Sequence, residues 1–185
     1  MDEYIDIVTK KGQPTGKSAL KSEAHKNGWY HNTIHLWLFT KKGEILLQQR
    51  SHKKAIFPLL WDVSVAGHID AGESFIEAAL RETKEEIGLH LKPKNLKKIG
   101  VFLHETCYND GSIQDNEFHN VYISELNVKL NQLTPQEAEV EALKLVSFNQ
   151  FKQLLKHSKT NNHFVTTNTS YYTFVHNTIQ NQLNQ

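Results

Sequence analysis

Cysteine is nearly absent. Cys107 is the only one in 185 residues, so an intrachain disulfide and a cysteine-rich metal centre are both excluded. No stretch approaches the roughly 18 apolar residues that a membrane span requires. The opening Met1-Asp2-Glu3-Tyr4 is acidic where a secretory leader would be apolar, so the expected location is cytoplasmic, with no membrane partner. Excess charge is missing too: 21 Lys and Arg oppose 20 Asp and Glu, a net charge of +1. A nucleic-acid polymer is recognised through a basic face, so none is expected as a partner. What remains is an ordinary globular composition, 38% hydrophobic and 22% charged, in a chain long enough to bury a core. Residues 1–185 are expected to form one domain.

The pattern along the chain mixes strands and helices. Ile5 to Val8 is strand-like, Lys10 to Gly16 is turn-rich, and Ser18 to Asn27 predicts a short helix stopped by Gly28. An N-terminal hairpin and short helix thus occupy residues 1–30. Ile34–Thr40 and Glu44–Arg50 predict a hairpin around Lys41-Lys42-Gly43, and Trp61–Ala66 predicts another strand before Gly67. From Ser74 to Ile87, apolar residues at Phe75, Ala78, Ala79 and Ile87 follow a helical period, and Gly88 supplies the stop. Leu96–Glu105, Glu117–Leu126 and Glu141–Phe148 predict further strands. Helices are expected at Asn149–His157 and Tyr171–Leu183, within a C-terminal helical region 149–185. Such a mixture points to an α/β fold with a sheet packed between helices.

The helix 74–87 carries the chemistry. Glu82, Glu85 and Glu86 stand at i, i+3 and i+4, so three carboxylates share one face. Their mutual repulsion calls for a cation, and a hard divalent ion such as Mg²⁺ or Mn²⁺ suits oxygen ligands. Gly67 allows close backbone approach to such an ion. Glu73 lies at the helix N-terminus, where negative charge is favoured.

The stretch from Gly67 to Leu89 resembles the Nudix box: Gly67, Glu73, Arg81-Glu82, Glu85-Glu86, Gly88 and Leu89 all fall in register. Seven polar or Gly matches at roughly 6% each arise by chance on the order of once in 10⁸ to 10⁹ windows. Thr83 departs from the pattern, where an aliphatic residue is usual. The resemblance implies an α/β/α sandwich with a mixed sheet and a metal-dependent hydrolase that cleaves a diphosphate linkage. The substrate would be a nucleoside diphosphate derivative or a related small organic diphosphate. It implies Mg²⁺ or Mn²⁺ on Glu82, Glu85, Glu86 and Gly67, with Glu73, Arg81 and Gly88 in structural roles.

A second resemblance covers most of the chain. Ala24-His25, His31, His35, Gln48-Gln49-Arg50, Phe57-Pro58, Trp61 and Ala66-Gly67-His68 follow the layout of type I isopentenyl diphosphate isomerase, a Nudix-fold relative. Ala66 replaces the catalytic cysteine of that enzyme, and a methyl group cannot exchange a proton. The isomerase surroundings thus enclose a complete hydrolase box. Leu59 stands where a Gly usually follows the Pro. The same resemblance implies a second metal site from His25, His31, His68, Asp115 and Glu117. Glu117 also heads the candidates for a base outside the box, with Glu139 and Glu141 behind it. Arg50 and Lys54, with Lys53 beside it, are candidates for substrate phosphates. Trp29, Trp37 and Trp61 are expected to pack rather than stack on a base. A homodimer that exchanges the N-terminal strand is one assembly the family allows. Two other functions stay open: isopentenyl diphosphate isomerase, and a non-catalytic nucleotide-binding protein.

Overall fold

The computed structural model describes residues 2–161, 165 and 169–184, and the side chains of residues 159–161 are not described. Of the C-terminal helical region, residues 162–164, 166–168 and 185 lie outside the described residues. Among the described residues, nine strands and four α-helices follow one another as two strands, a helix, four strands, a helix, three strands and two helices.

The chain opens with an antiparallel pair, β1 (Tyr4–Val8) and β2 (Pro14–Leu20), followed by α1 (Lys21–Asn27). The expected helix from Ser18 therefore starts late. Ser18 and Ala19 extend β2, held by pairing with Asp6 and Ile5, and the Ser18 hydroxyl donates to the Asp6 carboxylate over 2.6 Å. Gly28 ends α1 in the left-handed region (φ 66°).

The long strand β3 (His31–Phe39) organises the sheet. One edge runs parallel to β8 (Ile113–Glu125) over its full length. The other edge is shared in turn by β1 at His31, by β6 (Val65–His68) from Thr33 to Leu36, and by β4 (Glu44–Arg50) at Phe39. Strand β7 (Lys97–Tyr108) forms a hairpin with β8, while β5 (Trp61–Asp62) and β9 (Val140–Ser147) both pair with β4. The sheet is mixed, as expected. The single strand expected over Trp61–Ala66 is instead split in two. Between the halves, the Ser64 hydroxyl donates to Leu46 O (2.6 Å) and accepts from Leu38 N–H (2.8 Å). It thus stands in for ladder bonds where the chain crosses from β4 to β3.

Two apolar clusters cover the two faces. Trp37, Phe39, Ile45 and Leu47 meet Phe151 of α3 (Phe148–Asn161) and Tyr172, Val175 and Ile179 of α4 (Thr169–Leu183). Alternate residues Ile34, Leu36, Leu38 and Leu46 pack on Ala78, Ala79 and Ile87 of α2 (Phe75–Ile87). The period of two along β3 thus produces the expected α/β/α sandwich. Trp37 is fully buried, whereas Trp29 is 42% exposed, and Lys144 Nζ stands 3.7 Å over the Trp61 ring. No helix among the described residues is long and apolar enough to cross a membrane.

Candidate functional site

Helix α2 is fixed at both ends by its own sequence. Ser74 and Glu77 form a reciprocal capping box, and Gly88 closes the C-terminus at φ 69°, where a side chain would strain the backbone. Thr83 is fully buried, and its hydroxyl donates to Ala79 O at 2.6 Å, so the unusual residue leaves no polar group unpaired. Its core stripe runs through Ala78, Ala79, Thr83 and Ile87, and the same side of the helix buries Glu82 and Glu86 at 9% and 4% exposure. Glu85 faces the solvent.

Arg81 orders these acids. Its Nε and Nη2 donate to both Glu73 oxygens (3.0 and 2.8 Å), Nη1 donates to Glu82 (2.8 Å) and Glu85 (3.2 Å), and Nη2 also reaches His68 O at 2.9 Å. This bidentate fork locks the loop before α2 to the helix. Glu86 accepts from Gln48 and from Ala66 N–H, both at 3.3 Å. A Cβ on Gly67 would fall on the Glu82 carboxylate, so only glycine lets β6 pass this close. Burial pushes the Glu82 carboxyl up to about 7, against the pull of Arg81. Burial, reinforced by Glu82, pushes Glu86 up to about 8. Acids held this high take up a proton or a cation to lose their charge, and an oxygen-only donor set is of the kind that suits Mg²⁺ or Mn²⁺.

A second group of donors gathers beside the first. His25 of α1, His31 of β3, His68 of β6 and Glu117 of β8 offer ligand atoms all within 4.8 Å of one another. His25 Nε2 lies 3.2 Å from His68 Nε2, and Glu117 Oε1 lies 3.4 Å from His31 Nε2 and 3.3 Å from His68 Nε2. Four donors around one ion with bonds of about 2.0–2.1 Å stand about 3.3–3.4 Å apart, so these separations suit a shared cation. His31 Nε2 is buried without a hydrogen bond, as a donor awaiting a partner would be. Asp115 stands one step back: its Oδ1 lies 3.6 Å from His25 Nδ1, beyond hydrogen-bond reach, and both atoms are buried without a partner. Burial lowers His25 to about 4 and lowers His68 as well, so both imidazoles are neutral near pH 7. Burial would raise Glu117, but the His31 and His68 rings, 3.4 and 3.3 Å away, hold it well below the usual carboxylate range. Burial, with repulsion from Glu117, pushes Asp115 up to about 9.

Two adjoining cavities share Lys21, Lys54, Ala66, Gly67 and His68. One, of about 200 Å³, is bounded by Glu82, Glu85 and Glu86. The other, of about 220 Å³, opens behind Gly67 toward Asp115, Glu117 and the middle of the sheet. Arg50 lines the second, held by Asp62 (Nη1 to Oδ2, 3.3 Å) and by Ile56 O (3.0 Å). Lys54 lines both and forms a close ion pair with Glu139, whereas Lys53 lines neither. Glu141 accepts from the exposed His52 ring away from both cavities. Cys107 is exposed and also lines neither, so it does not replace the cysteine absent at Ala66.

The NUDIX domain family model matches residues 29–167. The chain belongs to the NUDIX family. Nudix hydrolase 3 of Arabidopsis thaliana is 40% identical over 157 residues, 83% of this chain, yet those residues make up only 20% of that longer protein. The NUDIX chain therefore spans one fifth of that relative. Isopentenyl-diphosphate Delta-isomerase 2 of Photorhabdus laumondii is 34% identical over 123 residues, covering 66% of this chain and 67% of that one. Both resemblances noted in the sequence are thus carried by relatives, which places the chain in an isomerase-like NUDIX branch. A crystal structure from Deinococcus radiodurans superposes with a TM-score of 0.63 at 18% identity, over 82% of this chain and 88% of that one. It shares the fold.

Several cavity residues of this NUDIX chain escaped sequence reasoning. Lys21 lines both cavities and is tied to Glu3 at 2.7 Å. It belongs to no motif, and only the β2–α1 turn brings it there. Asp62, His104 and His119 likewise reach the second cavity through strand register rather than sequence proximity.

Proposed function

We propose that the chain is a Mg²⁺- or Mn²⁺-dependent hydrolase that cleaves the diphosphate linkage of a nucleoside diphosphate derivative or related small organic diphosphate. The observation that carries this reading is the buried acid pair Glu82 and Glu86, with Glu85 beside it, over the close-packed Gly67 and opening on a cavity with Lys21 and Lys54. Residues 1–185 act as one catalytic unit in this reading. Glu82, Glu85, Glu86 and the Gly67 carbonyl would hold the ion. When bound, it neutralises phosphate oxygens and acidifies water.

The chain's own groups do the rest. Lys21, Lys54 and Arg50 balance the phosphate charge from the opposite walls, Arg50 with its orientation fixed by Asp62. Arg81 keeps Glu82 and Glu85 pointed at one spot. Glu85, the least buried of the three, accepts the proton of the attacking water. Glu117 is committed to His31 and His68, so its role is to hold the imidazole cluster, a second cation site with His25. The four-donor cluster favours one rival, an isomerase. Ala66 opposes it, because a methyl group stands where the isomerase moves a proton with a thiol.

The test is incubation of the purified protein with nucleoside diphosphate derivatives and with isopentenyl diphosphate, with Mg²⁺ or Mn²⁺, beside a Glu86→Gln control. Metal-dependent release of a monophosphate, lost in the variant, is the expected result. Isomerised isopentenyl diphosphate with both phosphates intact would replace the hydrolase by the isomerase. Tight binding without turnover, unaltered in Glu86→Gln, would make the chain a nucleotide-binding protein.

A further inference from the structure

The inner wall of the 220 Å³ cavity is a column of imidazoles. The His35 and His119 rings stack at 4.0 Å between centroids and 19° between planes, and His104 continues the column 5.5 Å from His119 at 23°. The three come from β3, β8 and β7, adjacent strands whose register sets their rings side by side. Each is anchored by a hydroxyl. His35 Nδ1 meets the Tyr171 hydroxyl at 2.8 Å, His119 Nδ1 meets Thr33 Oγ1 at 2.8 Å, and His104 Nε2 meets the Tyr108 hydroxyl at 3.2 Å. With Nδ1 engaged, Nε2 is the nitrogen that His35 and His119 leave for a ligand. Each ring thus has one nitrogen held by a hydroxyl and one left over, a donor or an acceptor according to its tautomer. Ile56, Phe57 and Val165 supply apolar lining to the same cavity.

We propose that His35 and His119, extended by His104, form a specificity wall that takes a hydroxylated carbon group on the substrate diphosphate and rejects a bare hydrocarbon chain. A hydroxyl can donate to or accept from the one nitrogen that each ring leaves, whichever tautomer the ring holds, so the two satisfy each other. A hydrocarbon in the same place strips the ring nitrogens of water and returns nothing, which is how polar sites discriminate most strongly. The volume restricts the group further. About 220 Å³ lies below the roughly 300 Å³ at which drug-sized pockets begin, so the enclosed part has the size of a pentose or a short polyol. The apolar lining then meets the carbon face of such a group. This assignment rests on the reading above that the phosphates lie against α2.

The test is calorimetric binding to the full chain in Mg²⁺, with ribose 5-diphosphate against isopentenyl diphosphate, two diphosphates of five carbons that differ in their hydroxyls. The wild type is expected to prefer the pentose diphosphate by about 100-fold or more. His35→Leu and His119→Leu are each expected to cut that preference at least about 10-fold, while His119→Asn, which keeps a donor and an acceptor, retains most of it. Equal affinity for the two ligands, or a preference that survives both Leu variants, would overturn the wall. Should the Leu variants fail to fold, the wild-type ratio and the Asn variant still decide. Binding needs no turnover, so the two readings fail separately. Discrimination without cleavage removes the hydrolase and leaves the wall, and equal cleavage of both ligands does the reverse.

Discussion

Glu86 combines near-complete burial with a carboxyl raised by its own surroundings, and in the proposed site it trades its proton for the cation. Glu86→Gln keeps the shape and the hydrogen bond from Gln48 but removes the charge. It is expected to lower kcat on the order of 10³-fold, measured by monophosphate release, and an unchanged kcat would take Glu86 out of the site. In the proposed second cation site, Asp115 acts at one remove. Asp115→Asn should weaken Mn²⁺ binding at the His25, His31, His68 and Glu117 cluster by about 10–100-fold, read by calorimetry; equal affinity would deny it the orienting role. At this scale the sequence was legible wherever function lies on one helix. Arg81, Glu82, Glu85 and Glu86 are related by α2 alone, and the spacing of a helix is fixed; Glu73 lies in the loop just before it. His25, His31, His68 and Glu117 come from four elements, so the sequence could offer them only through a family resemblance. The imidazoles of His104 and His119 are related only by the β7–β8 register, which no local pattern encodes.

Elements were legible where a residue type admits one conformation. Gly28 and Gly88 stop their helices in the left-handed region, and the Lys41-Lys42-Gly43 turn joins β3 to β4 as expected. The pattern misled where side chains captured backbone groups: Ser18 stays in β2 through Asp6, and Ser64 breaks the strand expected over Trp61–Ala66. The loop between β4 and β5 carries strain that the sequence hinted at. Leu59, where the isomerase-like pattern has Gly, takes φ 63°, and Phe57 takes φ 51°. Because Leu59 is 48% exposed, Leu59→Gly loses little packing and relieves the left-handed strain. It should stabilise the fold by about 0.5–1 kcal/mol, a rise in Tm of roughly 2 °C; a lower Tm would contradict this account of the loop. Ser74→Ala removes one half of the capping box on α2 and should cost about 1 kcal/mol, seen as a lower denaturation midpoint.

Across the whole molecule, the buried acids make stability depend on pH. Glu82 at about 7 and Glu86 at about 8 lie above the ordinary 4.5 of an unfolded glutamate, so the folded state holds protons that the unfolded state has released. Their contribution is complete below pH 4.5 and is lost as pH rises through 7 and 8. Asp115, raised from 3.8 to about 9, adds to the same fall, whereas His25 and His35, lowered from 6.5 to about 4, have the opposite sign and complete their change by about pH 6.5. The Tm of the metal-free protein should therefore fall from about pH 6.5 to 8.5, and Mg²⁺ should restore it by binding the ionised acids. A Tm that is flat across that window, or indifferent to Mg²⁺, would contradict the burial assigned to this pair. The sandwich itself was legible from alternating strands and the period of α2. The three-way sharing of one β3 edge by β1, β6 and β4 was not, and that arrangement is what closes the two cavities around Gly67.

The central claim is that water attacks phosphorus at the acidic face of α2. The most direct measurement is turnover with Mg²⁺ in ¹⁸O-labelled water, with the products followed by mass spectrometry. The account predicts one labelled oxygen in a released phosphate product and no label in the Glu86→Gln reaction. An intact, unlabelled diphosphate whose carbon skeleton has rearranged would contradict it.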